Sequence, residues 1–208
     1  MSHYEEKDPN QINKITGISV ERARELTRKY QALSDELEIS IERIKQAYCA
    51  IRESLHSYKQ DFWESPNPEI SLLMPRFYQW VDWLKANLEE LEHIRELCDI
   101  AMYYLRLTTH EPKAKHRYNS PSEAPPTSVS ECIVVLNEEA KQMKLRFHDA
   151  ETWFKGGDFL IFGIDTTAYI LRDGVSLMES IVRVADSAAE QEKTASFGAG
   201  CTSDRAEM

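Results

Sequence analysis

The stretch that decides the fold is DFLIFGIDTTAYILRDGVSLMESIVRVADSAA, which covers residues 158–189. An apolar residue recurs in it at alternating steps of three and four, which keeps one side of an α-helix apolar throughout. That column comprises Ile161, Ile164, Ala168, Leu171, Val175, Met178, Val182, Ala185 and Ala189. Two flanking columns are largely apolar as well, one with Leu160, Ile181 and Ala188 and the other with Ile170, Leu177 and Val184, while charged residues keep to the opposite side. A stripe this wide predicts a helix with two or three helical neighbours.

Three earlier segments carry the same alternation of apolar residues. The first runs from Ser19, a good capping residue, to Phe62 and predicts a helix roughly 65 Å long. In the second segment Pro75 would remove a backbone donor, so we expect a short turn over residues 67–73 and a main helix from near Pro75 to Leu105. The third begins with Ser128-Val129-Ser130-Glu131, a capping box, and ends before Gly156-Gly157, with Asp158 capping the next helix.

The connections between these segments are short, long and short. The long one, residues 108–127, holds four of the prolines and almost no apolar residue, so we expect a mobile, disordered loop. The pattern predicts an all-α antiparallel four-helix bundle over residues 19–190, with a flexible arm over 1–18 and a disordered tail over 191–208. The alternative is an α+β fold, because residues 132–136 (CIVVL) and 159–164 (FLIFGI) are rich in strand formers.

Composition excludes several classes of function. The chain has 208 residues and a net charge of −10, which disfavours binding to nucleic acid or anionic lipid because both need a cationic surface. No signal peptide and no apolar run long enough to span a membrane is present, so we expect a cytoplasmic protein. The four cysteines, Cys49, Cys98, Cys132 and Cys201, are scattered without metal-ligand spacing, which is typical of reduced thiols.

Two ExxH pairs, Glu53/His56 and Glu90/His93, raise the question of a metal site, because di-iron bundles carry such pairs. In the predicted helices both pairs fall on outward positions, and the core columns supply no glutamate. Serine nucleophile elbows, phosphate-binding loops and dinucleotide-binding glycines are absent. We therefore expect no metal, no cofactor and no catalytic residue, and a protein that is not an enzyme.

Arg95 is the single charged residue in a predicted core column of the second helix. The antiparallel register favours a buried polar layer, with Arg95 paired to Glu36, Glu139 or Asp173, because an unpaired buried guanidinium costs several kcal/mol. The structural interpretation of this layer is an ion pair that fixes the register. The functional interpretation is a pocket for an anion or another small ligand.

Aromatic residues cluster early in the second helix, where Tyr78, Trp80 and Trp83 cannot all turn inward together with Phe77. Exposed apolar area of this kind usually marks an interaction site. The candidate partner or ligand surface comprises Tyr78, Trp80, Trp83, Arg95, Tyr104, Ile170, Leu177 and Val184. The sequence thus favours a non-enzymatic protein-protein interaction module, an adaptor, scaffold or assembly subunit, that binds a protein partner or forms a homo-oligomer through helix faces. The alternative is a small-ligand or lipid-binding bundle with its pocket at the Arg95 layer or at the Trp80/Trp83 cluster.

Overall fold

The computed structural model describes residues 18–64, 68–109, 126–155 and 165–200. These ranges form four helices: α1 (Val20–Glu64), α2 (Pro68–Thr109), α3 (Val129–Lys155) and α4 (Asp165–Gly200). The prediction of an all-α fold is confirmed. Residues 132–136 lie within α3, so the strand alternative is wrong for that segment, whereas residues 159–164 fall outside the described ranges.

The helices pack in a ring, in which α1 contacts α2 and α4, and α3 contacts the same two helices. Partners along the α1 and α4 pair show that the two run in opposite directions: Arg22 bonds Ser187, whereas Arg43, further along α1, bonds the earlier residue Asp173. The other neighbouring pairs are antiparallel too. The antiparallel four-helix bundle is therefore confirmed.

Side-chain caps start α1 and α3 where the sequence places them. The backbone N–H of Arg22 donates to Ser19 Oγ at 3.2 Å, and the backbone N–H of Glu131 donates to Ser128 Oγ at 3.1 Å. The reciprocal half of the predicted capping box differs. The Glu131 carboxylate accepts from the backbone N–H and hydroxyl of Thr127, at 2.7 and 2.8 Å, instead of from Ser128. These hydrogen bonds lower the pKa of Glu131.

The start of α2 differs from the prediction. The helix begins at Pro68 and continues through Pro75, without a separate turn over residues 67–73. An interior proline costs a helix about 3 kcal/mol. Pro75 is exposed, and the helix continues through it without a break.

The end of α4 also differs, because the helix reaches Gly200 instead of ending near Glu190. Residues 191–200 are therefore helical, and the prediction of a disordered tail is wrong for them. The segment QEKTAS contains good helix formers, which favour continuation of the helix. Residues 201–208, the predicted arm over 1–17 and most of the predicted loop (110–125) lie outside the described ranges, as do Ile161, Ile164 and the Asp158 cap.

The core follows the predicted alternation on α1 and α3, whereas on α2 and α4 every second position of the buried column is displaced by one residue from the predicted one. On α2 the buried column comprises Trp80, Leu84, Asn87, Leu91, Ile94, Cys98, Ala101, Leu105 and Thr108. On α4 it comprises Leu171, Gly174, Met178, Ile181, Ala185 and Ala188. Val175 and Val182, which were predicted at the centre of the α4 stripe, are only half-buried. The buried columns are interrupted by Asn87 and Thr108 on α2 and by Gly174 on α4. A search for apolar residues alone therefore ranks them below the neighbouring columns.

Two helices extend past their neighbours at one end of the bundle. Trp83 of α2 contacts Phe147 of α3, and eight residues further on α3 ends at Lys155, level with Pro75 eight residues back along α2. By the same count from the Arg43–Asp173 pair, the first residue of α4, Asp165, is level with Ile51. Residues 52–64 of α1, beyond the described start of α4, and residues 68–74 of α2, beyond the described end of α3, therefore run on as an antiparallel pair. We call this pair the α1–α2 extension.

Candidate functional site

The predicted surface residues do not form one surface. Trp80, Ile170 and Leu177 belong to the buried core. Trp83, Tyr104 and Val184 are half-buried and packed against that core. Among the predicted residues only Tyr78, which is 38% exposed, presents a large apolar side chain to solvent. The additional apolar width of α2 and α4 is thus used mainly inside the bundle.

The tryptophans form an aromatic cluster whose contacts lie within the chain. The rings of Trp80 and Trp83 stack with their centroids 4.7 Å apart, and Trp83 meets Phe147 of α3 edge to face at 5.8 Å. Gly174 of α4 completes the cluster, because a β-carbon there would lie 2.8 Å from two ring atoms of Phe147. The cluster joins α2, α3 and α4 just where α3 approaches its end. The side chain of Phe77 is outside the described part of the chain.

The predicted buried layer at Arg95 is wrong. Because every second buried position of α2 is displaced by one residue, Arg95 lies at the edge of the bundle with its side chain 38% exposed. Its guanidinium is 3.7 Å from the carboxylate of Glu38, which is not one of the three predicted partners. Asp173 instead pairs with Arg43 at 2.9 Å. An exposed pair of this kind contributes at most about 1 kcal/mol.

Tyr104 has a structural role that its position in the sequence did not indicate. Its hydroxyl donates to the backbone carbonyl of Pro126 at 2.7 Å and so attaches the residues before α3 to α2. The pKa of Tyr104 is raised, mainly by burial and to a smaller extent by Cys132 and other neighbours. The hydroxyl therefore remains a donor at neutral pH.

Tyr78 lines a groove that flanks α1. This α1–α2 groove has a volume of about 700 Å³ and lies at the base of the α1–α2 extension. Its lining residues are Tyr48, Cys49, Arg52, Glu53, Leu55, His56, Ser57, Tyr78 and Val81. Leu55 is buried, Tyr48 and Val81 are half-buried, and Arg52, Glu53 and His56 are exposed. The groove therefore combines an apolar floor with a charged rim.

A second groove lies on the other flank of α1. This α1–α4 groove has a volume of about 300 Å³ and is lined by Glu36, Ile39, Ser40, Arg43, Asp173, Ser176, Leu177 and Ser180. Leu177 forms its buried floor, while Ile39 stands 54% exposed at its edge. Ile39 was missed by the sequence analysis because it falls outside the apolar column of α1. No periodic signal distinguishes a single apolar residue on a solvent face.

Two further exposed apolar residues, Val134 and Leu145, lie on the solvent face of α3, at 65% and 57% exposure. They are eleven residues apart with Glu138 and Lys141 between them on the same face. Single apolar residues separated by charges are common on protein surfaces. Leu145 is therefore a suitable control position for substitutions in the grooves.

The groups considered for chemistry remain dispersed. Glu53 and His56 are exposed as predicted, whereas Glu90 is half-buried and pairs with Arg146 at 3.0 Å. Within the described ranges no three His, Cys, Asp or Glu side chains are grouped to hold a metal ion. The same residues contain no helix long and apolar enough to cross a membrane.

The described cysteines differ in their surroundings. Cys49 is exposed, and Cys98 and Cys132 are buried, all three as free thiols. Burial raises the pKa of Cys132 to about 12 and also raises that of Cys98, so both thiols stay protonated. Cys132 donates to the carbonyl of Leu97 at 3.2 Å, which adds a contact between α2 and α3.

Comparison of the chain with protein-family models, with curated proteins and with solved structures finds no match.

Proposed function

We propose that this protein is a non-enzymatic helical interaction module, an adaptor or scaffold of the cytoplasm, that binds a protein partner in the α1–α2 groove. The observation that carries the proposal is Tyr78, an exposed aromatic side chain on the wall of a groove of about 700 Å³. Tyrosine is enriched at protein interfaces because its ring supplies apolar contact area and its hydroxyl a hydrogen bond. The free thiols of the described cysteines support the cytoplasmic location.

The shape of the groove favours a helix as the bound element. Grooves between two helices accept the apolar face of an amphipathic helix, whose side chains recur at steps of three and four. The buried floor at Leu55 and the walls at Tyr48, Tyr78 and Val81 supply the apolar contacts. Arg52 is exposed on the rim and favours an acidic side chain on the partner.

The position of the groove also supports the proposal. It lies where α1 passes the described start of α4 and where α2 nears the level at which α3 ends. A partner helix that lies beside α1 and α2 there would restore the packing that α3 or α4 gives to the same helices elsewhere. Completion of a helical bundle by a partner uses the same side-chain packing as the bundle itself.

The residues behind the ligand-binding alternative do not favour it. Trp80 is fully buried, and its ring stacks on Trp83. Arg95 lies at the surface beside Glu38 and not in an internal layer. The protein-interaction proposal therefore has the stronger support.

The experiment uses a photoreactive amino acid in place of Tyr78, expressed in the full chain in cells of its natural source. The matched control carries the same amino acid at Leu145, which is exposed on α3. The expected result is a crosslinked protein specific to position 78. That protein is then purified, and its affinity for the native chain and for Tyr78→Ala, Arg52→Glu and Leu145→Ala is measured by titration.

The expected outcome is that Tyr78→Ala and Arg52→Glu weaken binding at least roughly tenfold, as for central interface residues, while Leu145→Ala leaves it unchanged. Equal crosslinking at positions 78 and 145, or an affinity that does not respond to the two groove substitutions, would refute the proposed site. Circular dichroism of each variant shows that the helices are intact.

A further inference from the structure

We propose that the α1–α4 groove binds α1 of a second copy of this chain, so that the protein forms a two-fold symmetric dimer. In this dimer the two α1 helices run antiparallel, and the two-fold axis passes between Ile39 and Ser40. The argument depends on the shape of the groove and on the order of charges along α1. It is independent of the partner proposed for the α1–α2 groove.

A symmetric dimer requires a surface that is complementary to itself, with a projection and a recess on the same patch. Ile39 is the projection, because its exposed apolar side chain, unlike those of Val134 and Leu145, stands at the edge of a groove. The recess lies beside it, with a buried floor at Leu177 and small walls at Ser40 and Ser176. Serine side chains leave room that larger residues would fill, so Ile39 of the second copy fits above Leu177.

The charges on this side of α1 are complementary under the same symmetry. With a two-fold axis between residues 39 and 40, two residues face each other across the axis when their numbers add up to 79. Glu36 then faces Arg43 of the second copy, and Arg43 faces Glu36 of the second copy. Both residues line the groove and are exposed. The two residues are seven positions apart, about 10 Å along the helix, so one ion pair lies on each side of the axis.

Arg43 can take part in this contact without leaving its partner within the chain. Its Nη1 atom is 2.9 Å from Asp173, and more than half of each side chain remains exposed. A guanidinium has five N–H donors, enough for two carboxylates. Further from the axis, Ala32 faces Ala47 of the second copy, and these small residues permit a close approach of the two helices.

The test is a charge exchange measured by sedimentation velocity and light scattering over a range of concentrations of the full chain. The native protein is expected to show a reversible equilibrium between monomer and dimer. Glu36→Arg places two arginines opposite each other at both pairs and is expected to raise the dissociation constant roughly tenfold or more. The double variant Glu36→Arg/Arg43→Glu restores opposite charges across the axis and is expected to recover the dimer.

Ile39→Glu tests the apolar contact, with Leu145→Glu as the matched control on α3. The first is expected to abolish the dimer and the second to leave it unchanged. A native chain that remains monomeric at every concentration would overturn the proposal. A dimer that persists in Ile39→Glu, or one that the charge exchange fails to recover, would place the interface elsewhere and equally overturn it. Tyr78→Ala is expected to leave the dimer unchanged, so this result and that for the α1–α2 groove are separable.

Discussion

Gly174 shows how one residue without a side chain decides the packing of three helices. Glycine in the middle of a helix ordinarily destabilises it by about 1 kcal/mol relative to alanine. Here a β-carbon would come within 2.8 Å of the Phe147 ring, which is fully buried and in contact with Trp83. A shift of the ring would disturb its edge-to-face contact with Trp83. Gly174 is therefore the position at which α4 approaches α3 around an aromatic ring.

We predict that Gly174→Ala lowers the free energy of unfolding by about 1 kcal/mol, because overpacking at about 1–3 kcal/mol outweighs the gain in helix propensity. In a Phe147→Leu background the same substitution is expected to be neutral or stabilising, since the clash is gone. Urea denaturation of the four proteins gives the coupling between the two sites. Ser176→Ala, an exposed substitution on the same helix, is the control and should not destabilise. Stabilisation by Gly174→Ala in the native background would contradict the close contact.

Arg95 illustrates what sequence analysis can and cannot predict for a single residue. Its occurrence in an apolar column predicted a buried charge, but a displacement of one residue moves it to the edge beside Glu38. One residue corresponds to about 100° around the helix, which separates a core position from a surface position. Which face of a helix is buried depends on the helices packed against it, and the sequence of one helix does not identify those neighbours.

At the scale of the element, α1 and α3 were predictable because the buried positions on their inner faces are apolar, with Ser34 on α1 as the exception among the described residues. The described residues of the α3 column from Val129 to Ala150 are all buried, and so are Leu26, Tyr30 and Leu33 on α1. On α2 the true column includes Asn87 and Thr108, and the adjacent column is more apolar than the one that is buried. Counting apolar residues therefore selects the wrong column on α2, although it identifies the helix correctly.

The effect of a polar residue in the buried column of α2 on stability can be measured at Asn87. Its side-chain amide donates to the carbonyl of Trp83 at 2.6 Å, while its Oδ1 atom is buried without a hydrogen-bond partner. A buried unsatisfied polar atom costs about 1–3 kcal/mol. We predict that Asn87→Ala leaves the free energy of unfolding unchanged or raises it by about 1 kcal/mol, since it also improves helix propensity.

Chemical denaturation measures this effect, with Leu91→Ala in the same column as the control. Leu91 is fully buried, and its truncation is expected to cost about 2–5 kcal/mol. A loss of more than about 1 kcal/mol in Asn87→Ala would mean that the amide contributes to stability through contacts beyond the carbonyl of Trp83.

At the scale of the whole molecule, the bundle was predictable from the number of apolar segments and the lengths of their connections, but the mismatch of helix lengths was not. α1 has 45 residues and α3 has 27, so the helices cannot match end to end. The α1–α2 extension and the groove at its base result from this mismatch. Their position depends on the register between helices, which is fixed by contacts distant in sequence such as Arg146–Glu90.

We predict that backbone amides in residues 55–64 and 69–74 exchange hydrogen faster than those in residues 26–44, because fewer helices pack around the extension. Amide exchange reports the free energy of local opening, which rises with the number of buried contacts. Hydrogen exchange with mass spectrometry measures both groups in one experiment. Equal protection of the two regions would show that the extension is as well packed as the centre. The measurement is made on Ile39→Glu, so that burial of residues 36–43 in the proposed dimer does not add to the protection of residues 26–44.

The length of α1 has a consequence for how the size of this protein is measured. A helix of 45 residues is about 68 Å long. A compact chain of 208 residues has a radius of gyration of about 17 Å, which for a sphere means a diameter of only roughly 44 Å. An elongated particle experiences more friction than a sphere of equal mass, so the monomer will leave a gel-filtration column early, at the volume of a heavier globular standard. Elution volume alone would thus imitate association, and only absolute mass distinguishes one chain from two.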